Sequence, residues 1–354
     1  MLAILSLLSS GLTVTGIVGQ RPLGTLAISE AGIGTLNLAL DKKENDDDAA
    51  SALKAAIESG CNFVDTAEAY GFGNSELLTA WAAKQAGVEI GCGEGQLKVA
   101  TKFAPVPWRS GADSVVEACK ASAERLGVDC IPLYQIHFPD IIQPFKAFGL
   151  ERRKDEEYFE GLARCYELGL AANVGVCNYG PELTQKIHDF LQARGIPLAS
   201  NQINFSLMYR KDSAATVKKC EELGVPVIAY FPLANGLLTG RYDADHMPSF
   251  PKSLTMKKYV VGDGSDAFPE GGYLPLLSEM RKIARERGKE VSQVAINWVL
   301  CKGAIPIPGA RNGAMAASNT ASMGWRLTPE EVLALEAAAD AVGFEFSSGG
   351  FKLE

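Results

Sequence analysis

Asn62-Phe63-Val64-Asp65-Thr66-Ala67-Glu68-Ala69-Tyr70-Gly71 reads as a short apolar strand that ends in an acid and passes into a turn carrying a tyrosine. A brief β-branched and aromatic run bounded by turn residues marks a buried strand, here Cys61–Asp65. Before it, residues 47–59 form an amphipathic helical pattern stopped by Gly60, and Asp46, Asp47 and Asp48 suit the cap and dipole of that helix.

The same unit recurs downstream. Strands are expected at Lys98–Thr101, Leu133–His137, Ala172–Val176, Ala199–Asn204, Pro226–Tyr230 and Ala304–Ile307, with a weak last one near Met323–Trp325. Helical patterns lie between them at about 74–86, 111–127, 155–168, 181–194, 212–223 and 291–302. Thr328-Pro329-Glu330-Glu331 is a capping box with proline at the first helical position and opens a final helix. Eight strand candidates alternating with helices predict an α/β chain closed into a (β/α)8 TIM barrel, with a doubly wound sheet as the competitor.

A missing signature favours the barrel. A Rossmann domain needs G-x-G-x-x-G between a strand and a helix, but after Gly71-Phe72-Gly73 the third glycine position holds Glu76. Gly91-Cys92-Gly93-Glu94-Gly95 precedes a strand and reads as a turn. Any dinucleotide must therefore be held without a Rossmann domain.

Of 354 residues, 47% are apolar and 21% charged, ordinary for a globular enzyme with a sizeable core. The net charge of -8 argues against a nucleic-acid partner. The eight cysteines form no C-x-x-C pair and no cluster with metal-ligand spacing, so no metal site is expected, and a reducing compartment fits them. Residues 1–20 are mostly apolar up to Val18 and carry no charge; they read as a leader or disordered segment, marginal for a membrane span and lacking the positive start of a signal peptide. Residues 21–354 are read as one barrel domain, with no stable membrane insertion. Two long connections, about 138–154 and 232–275, suit active-site loops.

The chemistry gathers at strand ends. Asp65 ends one strand, Lys102 follows Val99-Ala100-Thr101, and His137 follows Gln135-Ile136, while Tyr70 lies in the loop just above Asp65. Reducing a carbonyl needs a hydride to carbon and a proton to oxygen. A phenol titrates near pH ~10, and a neighbouring ammonium lowers that value. Lys102 can supply this charge, Asp65 can hold Lys102 cationic, and His137 can orient the carbonyl oxygen as negative charge develops. Singly, each residue also reads as a surface ion pair or a loop aromatic; four at corresponding strand ends are hard to explain as packing. His188, in an amphipathic helix, and His246, in a polar loop, read as structural or solvated.

From about residue 22 the chain resembles the aldo-keto reductases, and looks most like plant and algal chloroplast members. The matching text is Val64-Asp65-Thr66-Ala67-Glu68-Ala69-Tyr70-Gly71, Ala100-Thr101-Lys102-Phe103, Leu133-Tyr134-Gln135-Ile136-His137-Phe138-Pro139 and Ser200-Asn201-Gln202-Ile203-Asn204. Later pieces are Ile228-Ala229-Tyr230, Gly236-Leu237-Leu238-Thr239-Gly240 and Ile305-Pro306-Ile307-Pro308-Gly309-Ala310. The resemblance implies a (β/α)8 barrel binding NADPH without a Rossmann domain, with Tyr70 as proton donor. It also implies that Asn178 and Gln202 hold the nicotinamide carboxamide, Tyr230 stacks on its ring, Gly34 and Thr35 make the first barrel-edge contact, and Asn319 meets the adenine. Arg311 suits a bidentate pairing with the adenosine 2′-phosphate.

The chain departs from the pattern at Cys177, where a hydroxyl residue is usual, at Phe231, at Met315 in place of a second phosphate-binding arginine, and at Ala317-Ser318 in place of an acidic pair. NADPH is the expected cofactor, with NADH left open. A small-molecule carbonyl compound is the expected substrate, with Trp108, Phe138, His137 and the tail around residues 344–351 lining its pocket and favouring apolar or aromatic compounds. Two narrower alternatives stand: a pyridoxal reductase-like enzyme, and a nucleotide-sensing partner subunit resembling the potassium-channel β subunits. A plastid is the expected location, the cytoplasm the alternative, and the oligomeric state stays open.

Overall fold

A computed structural model describes residues 19–36, 46–142, 153–247, 252–265 and 267–346. The chain enters through an antiparallel hairpin, β1 (Gln20–Leu23) and β2 (Leu26–Ser29), turned at Gly24. Then β3 (Ile33–Gly34), β4 (Phe63–Asp65), β5 (Lys98–Phe103), β6 (Leu133–Ile136), β7 (Val174–Cys177), β8 (Leu198–Asn204), β9 (Val227–Tyr230) and β10 (Ile305–Pro306) pair in sequence order, every pair parallel. Gly34 bridges Gly309, and the Gly32 and Gly34 amides donate to Pro306 O and Pro308 O at 2.9 and 3.2 Å, so the first strand meets the last. The eight strands form the (β/α)8 barrel. Glycine is required at this seam: a Cβ on Gly32 would lie 2.6 Å from Phe63 Cδ1 and one on Gly34 3.0 Å from Ile307 O.

The seam corrects the sequence reading at one point. The strand expected at Met323–Trp325 is absent, and the eighth barrel strand is Ile33–Gly34 at the start of the barrel. Residues 323–325 instead form a turn, in which the Met323 amide donates to Thr320 O, the Gly324 amide to Glu30 Oε2, and Asn297 Nδ2 to Trp325 O. Three apolar residues after a helix carry a strand-like composition, but their backbone groups are taken by local and side-chain partners.

The helices are α1 (Asp46–Glu58), α2 (Asn74–Gln85), α3 (Gly111–Leu126), α4 (Asp155–Glu167), α5 (Pro181–Gln192), α6 (Ala214–Leu223), α7 (Lys252–Val261), α8 (Leu274–Arg287), α9 (Val291–Cys301), α10 (Gly313–Thr320) and α11 (Pro329–Ala341). Helix α11 starts with the expected box, Thr328 Oγ1 accepting from the Glu331 amide and Glu331 Oε2 from the Thr328 amide. The second long connection carries α7 and a 3-10 segment, Ala234–Thr239. The leader expected over residues 1–20 lies outside the described residues except for Gly19 and Gln20, as do residues 143–152 of the first long connection and Phe351 of the tail. Among the described residues no helix is long and apolar enough to cross a membrane.

Strand periodicity sorts side chains between the barrel's inside and the helical layer. On β5, Val99 and Phe103 pack outward in clusters with helical residues, while Ala100 faces inward. The inner floor consists of Phe63, Ala100, Leu133, Ile228 and Ile305, and the hairpin's Leu23, Leu26 and Ile28 pack onto it. Continuing two residues along each strand from this floor, the same parity brings Asp65, Lys102, Gln135 and Tyr230 to the inner face, with Gln135 followed two positions later by His137.

Candidate active site

Asp65 ends β4 and Lys102 lies near the end of β5, both buried. Lys102 Nζ donates to Asp65 Oδ2 at 2.5 Å and to Thr66 O at 2.8 Å. Asp65 Oδ1 accepts from Gln202 Nε2 at 2.6 Å. Burial works against the Lys102 charge, yet Asp65 and then Tyr70 carry its pKa above the ordinary lysine range. The ammonium stays charged inside the barrel because a carboxylate and a carbonyl share it.

Tyr70 begins a 3-10 segment, Tyr70–Gly73, whose Gly71 and Phe72 are left-handed, with φ of 60° and 53°. This turn folds the half-buried phenol back over the strand ends. Lys102 Nζ sits 5.0 Å from the Tyr70 ring centroid, and the His137 ring stands edge-on at 5.6 Å and 75°. The phenol's pKa is pushed up to about 12, burial being the largest cause, while the Lys102 ammonium pulls the other way. The sequence reading expects Lys102 to lower the phenol; burial outweighs it, so Tyr70 stays protonated at neutral pH. Burial, with Lys102 adding, holds His137 well below the usual imidazole range and therefore neutral. Among the described residues its buried Nδ1 has no hydrogen-bond partner.

The next strands complete the inner face. Cys177 of β7 is in register with Gln202 of β8, brought there by an irregularity between Val174 and Val176. Asn178, left-handed at φ 63°, turns its amide across the mouth. Its Nδ2 donates to His137 O at 3.0 Å and to Cys177 Sγ at 3.1 Å, and its Oδ1 accepts from Tyr230 Oη at 2.7 Å. Cys177 Sγ approaches Gln202 Oε1 at 3.7 Å. Tyr230, Asn178, Cys177, Gln202, Asp65 and Lys102 thus form one contact chain around the mouth.

At the seam, Thr35 donates from its amide and its hydroxyl to Asp65 O, at 3.0 and 3.1 Å. Its Oγ1 lies 2.7 Å from Ser75 Oγ, which also accepts from Thr66 Oγ1 at 2.8 Å. Neither the Thr66 carbonyl under Lys102 nor Ser75 is singled out by the sequence reading. Ser75 carries a signal that could have found it, a hydroxyl residue at the start of a helix just after the Tyr70 turn; a backbone carbonyl carries none.

Farther along the seam, Arg311 precedes α10 and Asn319 lies in its last turn. Asn319 is buried and donates from Nδ2 to Gly309 O at 3.2 Å. Arg311 is exposed and, among the described residues, has no hydrogen-bond or ion-pair partner. Asn312 caps α10 by accepting from the Met315 amide at 3.0 Å, and Met315 packs toward Ile33, Ala52 and Ala56 on the α1 side. At that position a side chain has become part of the helix-helix contact. Ser318 is committed as well, its Oγ donating to Glu290 Oε2 at 2.5 Å.

The expected substrate residues divide. Phe138 is buried with its ring 5.5 Å from that of His137. Trp108 is 82% exposed, on a loop pinned where Arg109 pairs with Glu68 and Glu68 Oε1 accepts from the Ala104 amide at 2.7 Å. Phe344 and Phe346 turn inward on Tyr259, at 5.6 and 4.7 Å between ring centroids. The described part of the tail is therefore packed on the protein. Among the described residues no group of three His, Cys, Asp or Glu could hold a metal.

Such a mouth holds a protonated phenol beside a buried ammonium and a neutral imidazole, an arrangement able to donate a proton to an oxygen atom and stabilise the charge left behind. A model of the aldo/keto reductase family matches residues 30–340, from the hairpin's end to α11. The chain is similar to the chloroplastic pyridoxal reductase of Arabidopsis thaliana, 37% identical over 90% of this chain and 85% of that protein. Its structure is similar to the glycerol dehydrogenase AKR11B4 from Gluconobacter oxydans, with a TM-score of 0.76, 26% identity and coverage of 94% and 99% of the two chains. It shares the fold of an aldo-keto reductase from Klebsiella pneumoniae in complex with NADPH, with a TM-score of 0.67, 22% identity and coverage of 96% and 99%. Because the family match takes in all eight barrel strands and every residue gathered at their mouth, the chain belongs to the aldo/keto reductase family.

Proposed function

We propose that this protein reduces an aldehyde or ketone to an alcohol with NADPH, the proton coming from Tyr70. The observation that carries the reading is the Lys102–Asp65 pair, 2.5 Å apart and out of solvent, beneath a protonated Tyr70 and beside a neutral His137. Family membership supports it, and so does the NADPH held by the Klebsiella protein of the same fold.

The residues present fit a dinucleotide. Gly34 tolerates close approach at the seam, Thr35 and Asp65 follow it inward, and Asn178, Gln202 and Tyr230 offer amides and an aromatic face at the mouth. Arg311 is a cation with no partner among the described residues, and Asn319 lies one helix away. When bound, the reduced nicotinamide supplies the hydride. His137, neutral, donates a hydrogen bond to the carbonyl oxygen and orients it. Tyr70 gives that oxygen its proton, and Lys102 stabilises the phenolate that remains, with Asp65 keeping Lys102 charged. Met315 and Ser318, committed to packing and to Glu290, leave Arg311 as the main phosphate contact, so the preference for NADPH over NADH rests on it.

A second reading narrows the substrate to pyridoxal, an aromatic aldehyde, on the 37% identity to the Arabidopsis enzyme. The same likeness supports a plastid location. Residues 21–354 are taken as one barrel domain.

Steady-state NADPH oxidation with 4-nitrobenzaldehyde and with pyridoxal tests both. Tyr70→Phe should lower kcat by roughly 100-fold or more, as loss of a general acid does, with NADPH binding retained. Equal turnover by the two proteins would remove Tyr70 from the proton-donor role. A kcat/KM for pyridoxal no better than for 4-nitrobenzaldehyde would count against the narrower reading.

A further inference from the structure

Tyr70 is carried by a turn that bonds mainly to itself. The Tyr70 amide donates to Ala67 O at 3.0 Å, and the Asn74 amide turns back to Gly71 O and Tyr70 O. Phe72, a bulky residue in the left-handed region, adds strain that the surroundings must hold. Its ring is fully exposed, and the side chains of Ala69 and Gly71 have no group to bond with. Tyr70 itself aside, Glu68 is therefore the side chain that, among the described residues, fastens the turn between Ala67 and Gly73 to the rest of the protein.

What Glu68 grips is the end of the strand that carries Lys102. Its Oε1 accepts from the Ala104 amide at 2.7 Å, two residues past Lys102 and just beyond β5. Arg109 donates to the same carboxylate through both terminal nitrogens, Nη2 reaching Oε2 at 3.2 Å. The two side chains are 10% and 29% exposed, so water screens this pair less than a surface one. Arg109 Nη1 also donates to Ala104 O at 3.2 Å, and its guanidinium sits 5.0 Å over the Phe103 ring. The Arg109 backbone is held in turn, its carbonyl accepting from Lys154 Nζ at 2.7 Å and from Tyr158 Oη at 3.1 Å. The Lys154 amide donates to Asp140 Oδ2 at 2.8 Å, three residues past His137. Beyond the turn, Glu76 Oε1 accepts from Thr101 Oγ1 at 2.5 Å. Two carboxylates, one on each side of Tyr70, thus take hold of β5 on either side of Lys102.

We propose that Glu68, fixed by Arg109, is a positioning residue for the proton transfer. It sets the Tyr70 phenol over Lys102, whose Nζ lies 5.0 Å from the ring centroid, and so the line along which Tyr70 meets a bound oxygen. The inference rests on the reading of Tyr70 as proton donor. In this role Glu68 touches neither the substrate nor the transferred proton and acts through the turn. A group misplaced by about 1 Å can cost roughly 100-fold in rate, so a strained turn freed of its fastening loses rate while the cofactor still binds.

The test is a double-variant cycle in the full-length protein, read as the single-turnover rate of NADPH oxidation with saturating 4-nitrobenzaldehyde. Glu68→Ala, and separately Arg109→Met, should lower this rate by roughly 10- to 100-fold. The NADPH Kd, from tryptophan fluorescence, should stay within about twofold of the wild type's. In the Tyr70→Phe background the same two changes should lower the residual rate by less than about twofold, since no phenolic proton is left to misplace. Gly161→Ala, which forces a Cβ against Val115 in the outer layer, is the control for a loosened protein and should keep the wild-type rate. Wild-type rates in both Glu68→Ala and Arg109→Met overturn the proposal. So do losses as large in the Tyr70→Phe background as in the wild type, or an equal loss of NADPH binding, since either would place the effect on the whole mouth. Full activity of Tyr70→Phe alone sinks the proton-donor reading and this inference with it. An inactive Tyr70→Phe beside a fully active Glu68→Ala sinks this inference only.

Discussion

Lys102 Nζ and Asp65 Oδ2 lie 2.5 Å apart with side-chain exposures of 0% and 3%, so each charge has exchanged its water for the other. Removing one member leaves the second stranded, which costs far more than the pair itself contributes. Asp65→Asn should lower stability by about 3 kcal/mol in urea unfolding and abolish most turnover. The double variant Asp65→Asn/Lys102→Met, with no charge left to strand, should regain at least about 1 kcal/mol of that loss. A double variant no more stable than the single one would mean that packing, not an orphaned ammonium, sets the cost.

His137 gives a pH signature. Its pKa is well below the ordinary imidazole value of about 6.5. Below that value the unfolded chain binds a proton that the folded protein refuses. Stability is thus unaffected by this group above pH ~6.5 and falls as pH drops toward the lowered value, by up to about 1.4 kcal/mol per pH unit. His137→Asn carries no such proton, so its urea midpoint should fall less than the wild type's between pH 7.5 and 5.5. Parallel losses in the two proteins would contradict the neutral, desolvated imidazole.

Arg311 isolates the phosphate question. Being exposed, with no partner among the described residues, it can be removed without structural cost. Arg311→Ala should raise the NADPH Kd by roughly 10- to 100-fold, the worth of a charge-assisted pair, leave the NADH Kd unchanged and leave Tm unchanged. Tryptophan fluorescence quenching measures both constants. Equal weakening toward both dinucleotides would place Arg311 away from the 2′-phosphate.

Gly161 tests the outer layer. It sits in α4 where a Cβ would fall 2.6 Å from Val115 Cβ and 2.7 Å from Ala112 O. The obstacle includes backbone and cannot step aside. Gly161→Ala should therefore destabilise by about 1–3 kcal/mol, despite alanine's better helix propensity of about 1 kcal/mol. Turnover per folded molecule should be unchanged, since none of the mouth residues takes part in that contact. A variant as stable as the wild type would show that α3 and α4 can separate freely.

The strand ends that form the mouth were legible because parallel strands deliver their ends to one face and side chains alternate along each. Asp65 is two residues beyond Phe63, Lys102 two beyond Ala100, and His137 four beyond Leu133, so a shared parity is written in the text. The seam was not legible. Ile33–Gly34 is too short for any periodicity to show, and its identity as a strand comes from hydrogen bonds to residues 306–308, far away in sequence. Met323–Trp325 shows the opposite error, an apolar run whose amides and carbonyls are used elsewhere. The pull of the Lys102 ammonium on the Tyr70 phenol was legible and the opposing burial was not, because composition reveals a neighbouring charge more readily than the burial that outweighs it. Trp108 and Phe138 could not be ranked from sequence, since the exposure of loop aromatics depends on how each loop is pinned.

The β1–β2 hairpin has a kinetic consequence. Leu23, Leu26 and Ile28 pack beneath Phe63, Ala100 and Leu133, so among the described residues the hairpin stoppers that end of the barrel. Whatever reaches Tyr70 and His137 must enter past the loops at the strand ends and leave by the same route. Two ligands sharing one doorway queue: the deeper must arrive first and depart last.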